Sequence, residues 1–214
     1  VDLIKVTGGT PEKYTYRQFK KDNPHTSFPK EPNASILSSY GVFPTSDTEQ
    51  PAHNADTQVC IKNIVPHYEG NRWVYGWTIR DKTSEELAAD KERLFDEINA
   101  ERERRLAAGS AFTVDGVTDP IPLQGRPFDQ TVYLALLTRA GGLKSAGVTA
   151  PSLTLRDGAD TIHELTPDQM IDLVSQSMTW FESVMKTSWA MKDGAGPFET
   201  GITADYTADT HWPA

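Results

Sequence analysis

Five histidines, one cysteine and thirty acidic residues are the groups from which this sequence could build a reactive site. The histidines are His25, His53, His67, His163 and His211. No two stand four apart, the spacing that brings two imidazoles onto one helical face around a metal. His163 and Glu164 adjoin in an expected strand, where neighbouring side chains point to opposite faces. Cys60 lies between Val59 and Ile61, the setting of a small buried apolar residue. A lone cysteine closes no disulfide within the chain and excludes a multi-cysteine zinc site. Gly8-Gly9 and Gly141-Gly142 lack the lysine and the spacing of phosphate-binding loops. No serine stands in a nucleophile elbow. Carboxylates are abundant, but nothing in their spacing brings two together as an acid pair. The expectation is a chain without catalytic residues, cofactor or metal.

One constellation remains. Trp73, Tyr75 and Trp77 alternate with Val74, Gly76 and Thr78. Period two places the three rings on one face of a strand. Such a face either stacks on sugar rings or forms the core of a small sheet, and both readings stay open here. The run Glu101-Arg102-Glu103-Arg104-Arg105 is expected to be a solvated helix end, its arginines complementing the helix dipole.

Composition narrows the class of protein. Thirty acidic against 21 basic residues give a net charge of −9 and a pI near 5.0. Phosphate backbones need a surplus of Lys and Arg, so nucleic acid is not an expected partner. No run of about 18 apolar residues occurs, so no membrane insertion is expected. No basic start followed by an apolar stretch marks a signal peptide. Apolar residues make up 37% of the 214, a modest stock of core material that favours burial against copies of itself or other proteins.

The elements that would position these residues fall into four zones. Residues 1–80 are expected to be a small β-rich module of short strands and turns. Leu3, Ile4 and Val6 make one strand, and Tyr14, Tyr16 and Phe19 follow at near-alternating spacing. Asn23-Pro24 turns, Pro32 continues an extended stretch, and one or two helical turns precede Gly41. Strands are expected over 58–65 and 73–80. Residues 81–109 are expected to be a long linking helix, opened by the capping box of Thr83 and Glu86 and stopped at Gly109. Its thin apolar stripe, Leu87, Leu94, Phe95, Ile98 and Leu106, resembles a coiled-coil seam; it either packs on its own chain or serves, through Leu87, Leu94, Phe95 and Ile98, as a self-association surface, and both readings stay open here. Residues 110–192 are expected to be a small α+β domain. In it, Asp115-Gly116 marks a type I′ hairpin turn. A helix from about Gln130 is expected to break at Gly141-Gly142. Asp157-Gly158 turns a second hairpin, and Thr166-Pro167-Asp168-Gln169 opens a last helix that ends at Gly194. Residues 193–214, rich in Gly, Ala, Thr, Asp and Pro, are expected to be an extended arm that orders only against a neighbouring subunit. The fold class is α+β.

Two sets of motifs resemble known families. Residues 22–29 (DNPHTSFP), 39–44 (SYGVFP), 48–51 (TEQP), 73–77 (WVYGW) and 79–83 (IRDKT) resemble, in this order, a short N-terminal module of tail-associated proteins in tailed bacteriophages and prophages. Residues 98–106 (INAERERRL), 107–109 (AAG), 122–127 (PLQGRP) and 163–170 (HELTPDQM) are similar to an uncharacterised domain of phage tail and tail-fibre proteins. Together they cover about residues 14–192. The resemblance implies a structural part of the virion tail (tip, baseplate or tail fibre). It implies a homo-oligomer, a trimer by preference, that contacts other tail proteins. Two alternatives stay open: a tail assembly chaperone absent from the mature virion, and a carbohydrate-binding or carbohydrate-cleaving tip that meets a host cell-surface glycan through Trp73, Tyr75 and Trp77.

Overall fold

Capping residues and tight turns set most element boundaries in the computed structural model, which describes residues 2–30, 33–199, 201 and 205–214. Pro32 of the expected extended stretch and residues 200 and 202–204 of the expected arm lie outside the described residues. The architecture is α+β, β-rich at its N-terminal end and carrying a long C-terminal helix. Two compact units divide the chain, residues 1–89 and 90–214.

In the first unit, β1 (Leu3–Thr7) and β2 (Thr10–Tyr14) form a hairpin across Gly8-Gly9. Helix α1 (Tyr16–Asp22) follows directly. The expectation from alternating aromatics is corrected here, because Thr15 and Gln18 form a capping box. The Thr15 hydroxyl accepts from Gln18 N, and Gln18 Oε1 accepts from Thr15 N. Phe19 is thereby turned wholly inside, against Phe28 and Tyr40 at centroid distances of 4.5 and 5.3 Å. Helix α2 (Ala34–Ser38), capped by Asn33, leads through Gly41 into β3 (Val42–Asp47). Then come β4 (Gln58–Lys62), β5 (His67–Glu69), β6 (Arg72–Tyr75) and β7 (Trp77–Asp81). Five strands form a sheet in the order β2-β1-β3-β6-β5, with only the β3–β6 pair parallel. β4 and β7 pair separately. Leu3, Ile4, Phe19, Leu37, Val42 and Val74 are the buried centre.

In sequence, helix α3 (Ser84–Ala108) spans the division between the units. Its start matches expectation: Thr83 N donates to Glu86 Oε2 (2.9 Å) and Glu86 N to Thr83 Oγ1 (3.2 Å). The second unit continues with β8 (Ser110–Phe112) paired to β9 (Ile121–Leu123). The turn between them is not type I′. That form needs positive φ at both central residues, and only Gly116 (77°) has it. Helix α4 (Pro127–Ser145) runs through Gly141 and Gly142 without a break, correcting the expected stop. Ala140 is completely buried and Leu143 packs on the same core, so tertiary contacts hold the helix across two poor helix formers. β10 (Leu153–Arg156) and β11 (Ile162–Leu165) form the second hairpin. Helix α5 (Pro167–Asp193) begins at the Thr166–Gln169 capping box and ends at Gly194, which is left-handed (φ 63°).

Helix α5 organises two cores in this unit. Its first half places Met170, Leu173 and Val174 against Ile121, Leu123, Leu153, Leu155 and Leu165. Its second half places Val184 and Met191 against Ile98 and Leu106 of α3 and against Phe198 and Trp212. The last two residues correct the expectation for 193–214. Short 3₁₀ turns at Gly196–Phe198 and Asp209–His211 fold the described part of this segment onto its own unit, because its two large aromatics find apolar cover there.

Candidate functional site

The three aromatics expected on one strand face are divided by a strand break. β6 stops at Tyr75 and β7 starts at Trp77, and the two strands pair in different sheets. Gly76 is the joint, where a Cβ would lie 3.0 Å from the His67 ring. Tyr75 is 5% exposed, with Lys62 Nζ 5.0 Å from its ring centroid. Trp77 is half-buried, and its Nε1 donates to the Thr48 carbonyl at 3.0 Å. Tyr75 therefore serves the interior, and the expected continuous three-ring face does not form.

Trp73 belongs to a different aromatic group. Its ring lies 5.5 Å from Tyr68 at 60° and 6.3 Å from Phe43 at 42°. The backbone explains the grouping. Gly70 and Asn71 both have positive φ (54° and 61°), the signature of a two-residue hairpin turn. That turn sets Glu69 opposite Arg72 and Tyr68 opposite Trp73. Thr45 is the register partner of Trp73 on β3, and Phe43 lies two residues back on the same strand face. Around these rings is a cleft of about 430 Å³, also lined by Ser35 and Ser38 of α2 and by Asn71 and Arg72. Sequence reasoning missed Phe43 and Tyr68. The signal for Tyr68 was the Gly70-Asn71 pair, which fixes the register of the flanking strands.

The charged run of α3 is solvated only in part: Glu103 and Arg104 are exposed, whereas Glu101 is buried and Arg102 and Arg105 are half-buried. The Glu101 carboxylate is buried and accepts from Arg104 (2.7 Å, twice) and Arg105 (2.7 Å). The bond from Arg104, joined by that from Arg105, outweighs burial and holds this carboxyl below the usual range. Arg105 also donates to the Thr207 carbonyl (2.7 Å) and Asp209 (2.8 Å), and its guanidinium stands 5.0 Å from the Trp212 ring centre. Tyr206 donates to Glu97, and Trp212 Nε1 to the Tyr206 carbonyl (2.8 Å). These bonds clasp the C-terminal residues to the helix.

The expected self-association stripe is split by the same packing. Ile98 is fully buried in its own unit and Leu94 packs beside it. Phe95 is half-buried under Lys91, and Leu87 is 43% exposed. Ile98 and Leu94 face their own chain, because α5 and Trp212 occupy the side on which a second copy would dock.

Among the remaining reactive groups, His163 and Asp157 meet. Nε2 of His163 donates to Asp157 Oδ2 at 2.8 Å. Oδ1 accepts from Ala159 N and Thr161 N, both at 2.8 Å. Burial would raise the Asp157 pKa, but these three bonds outweigh it and leave the group lowered and ionised. All of its bonds serve to close the 157–161 loop. Cys60 is half-buried opposite Ile79. Among the described residues, no three or more His, Cys, Asp or Glu side chains come together to hold a metal. No helix among them is long and apolar enough to cross a membrane.

Fold and packing define the chain as a β-rich unit followed by an α+β unit built on α5. The second of these is where kinship is found: residues 89–209 match a domain of unknown function (DUF4376). The match covers more than half of the chain, which belongs to this family, one found in phage proteins. No curated protein and no solved structure matches the chain.

Proposed function

We propose that the chain is a structural, non-enzymatic component of a bacteriophage tail (tip, baseplate or tail fibre), assembling with copies of itself and with other tail proteins. Membership of residues 89–209 in a family found in phage proteins carries this reading. The ordered motifs over residues 14–192, which resemble tail-associated modules, support the narrower placement. Exposed apolar side chains in the second unit support assembly: Phe128 and Leu134 on α4, and Met178 and Trp189 on α5. Apolar surface of this kind gains stability by leaving water. Quantitative mass spectrometry of purified virions tests the proposal. A fixed number of copies per particle is the expected result, with a trimer in solution by light scattering. A chain abundant in infected cells but missing from purified particles would instead be an assembly chaperone, and the structural reading would fall.

A further inference from the structure

We infer that the cleft between α2, β3, β5 and β6 is a carbohydrate-binding site that holds a pyranose ring of an oligosaccharide. The inference rests on the first unit alone and does not depend on where the chain sits in a particle.

Size is the first support. A volume of about 430 Å³ lies within the range of small-ligand pockets, ~300–1,000 Å³. The aromatic wall is the second. Trp73 is inclined to Phe43 by 42° and to Tyr68 by 60°, so the rings do not close into a parallel stack, and all three line the cleft. Tyr68 is 58% exposed, which leaves ring surface open to a ligand. An aromatic face carries negative charge density and attracts the weakly positive C–H face of a sugar ring.

The polar rim is the third support. Ser35 and Ser38 contribute hydroxyls, Asn71 an amide and Arg72 a guanidinium. Ser38 donates to the Ser35 carbonyl at 3.0 Å, which leaves its oxygen free to accept. Among the described residues, the side chains of Asn71 and Arg72 have no hydrogen-bond partner. The Gly70-Asn71 turn sets the backbone of both at the rim, and their free side chains are available to a ligand. Sugar hydroxyls donate and accept at once, and so answer this mixture of donors and acceptors.

Other occupants of aromatic clefts fit less well. Single-stranded nucleic acid stacks on such rings but needs a basic groove. Residues 1–89 carry 10 basic and 11 acidic residues. A proline-rich peptide also docks on aromatics, but it offers few donors to the Ser38 hydroxyl and the Asn71 carbonyl oxygen.

A printed array of neutral and acidic glycans, probed with the full chain, tests the site. The strongest binder is then titrated while the indole signal of Trp73 is followed by NMR, with decaproline titrated in parallel. Saturable movement of the Trp73 signal by the glycan is expected. Tyr68→Ala should lower affinity at least tenfold, and Arg72→Gln should lower it measurably. Both residues are exposed, so far-UV circular dichroism should be unchanged. Lys186→Gln, at an exposed position in the other unit, should leave affinity intact. An array without binders, a Trp73 signal that moves with decaproline and not with glycan, or a Tyr68→Ala variant of unchanged affinity would each overturn the inference. None of these outcomes bears on whether the chain is a tail component.

Discussion

Helix α3 hands the chain to β8 at Gly109, whose φ is 77°. A Cβ there would collide with the Leu123 backbone. Gly147 has a similar φ of 79°, but a Cβ there would meet nothing within 4 Å. The pair separates backbone strain from steric collision. Gly147→Ala should cost about 1 kcal/mol, and Gly109→Ala distinctly more, about 3 kcal/mol or above. Urea denaturation of both variants checks this, and equal costs would refute the collision. Glu101 gives a second prediction. Its folded pKa is depressed, so its contribution is complete above the unfolded carboxyl value near ~4.3 and fades as pH falls through the folded value. Glu101→Gln should destabilise by about 2 kcal/mol at pH 7, and the gap to the natural chain should shrink as the solution is acidified. A gap that stays constant down to pH 2 would mean that the carboxylate charge is not what the arginines need.

Helix α4 shows how an element survives its own sequence. Gly141 and Gly142 sit inside it with helical backbone, held by Ala140 and Leu143 on the core side. Gly142 is exposed, and a Cβ there would meet nothing within 4 Å. Gly142→Ala should therefore stabilise the chain by about 0.5–1 kcal/mol, visible as a higher melting temperature. A lower one would show that the helix is strained at this point. Capping boxes made α3 and α5 legible in the sequence, because a Thr with Glu or Gln three residues on satisfies the first free N–H groups locally. The same signal at Thr15 and Gln18 was hidden by the alternating aromatics around it. The candidate cleft was half legible. Trp73 stood out by type, while Phe43 reaches it only through the parallel pairing of β3 with β6, across a crossover that local pattern does not encode.

For the whole molecule, the charge is unevenly divided: residues 1–89 are nearly neutral, whereas residues 90–214 carry 19 acidic and 11 basic residues. The acidity noted for the chain is thus a property of its second unit. That unit also gains the C-terminal residues as part of its core. Trp212 is 6% exposed and shares a cluster with Ile98, Val184 and Met191. Trp212→Ala should cost about 3 kcal/mol. Native-state hydrogen exchange should show the loss at the amides of Leu106, Val184 and Met191, while those of Ile4, Val42 and Val74 keep their protection. Uniform loss in both units would mean that the chain unfolds as one.

Sequence by itself determined the α+β class, the caps of the long helices and the acidic character, because each rests on residues close together in the chain or on simple counts. Tertiary structure alone decided which apolar faces are used up. Ile98 looked like part of an outward seam until α5 and Trp212 covered it. Trp77 looked like a third member of the Trp73 and Tyr75 face until the joint at Gly76 placed it in a different sheet. The aromatic cleft likewise exists only because β3 and β6, distant in sequence, lie side by side. Burial is a long-range property, set by what packs on a residue and not by the residue's own spacing.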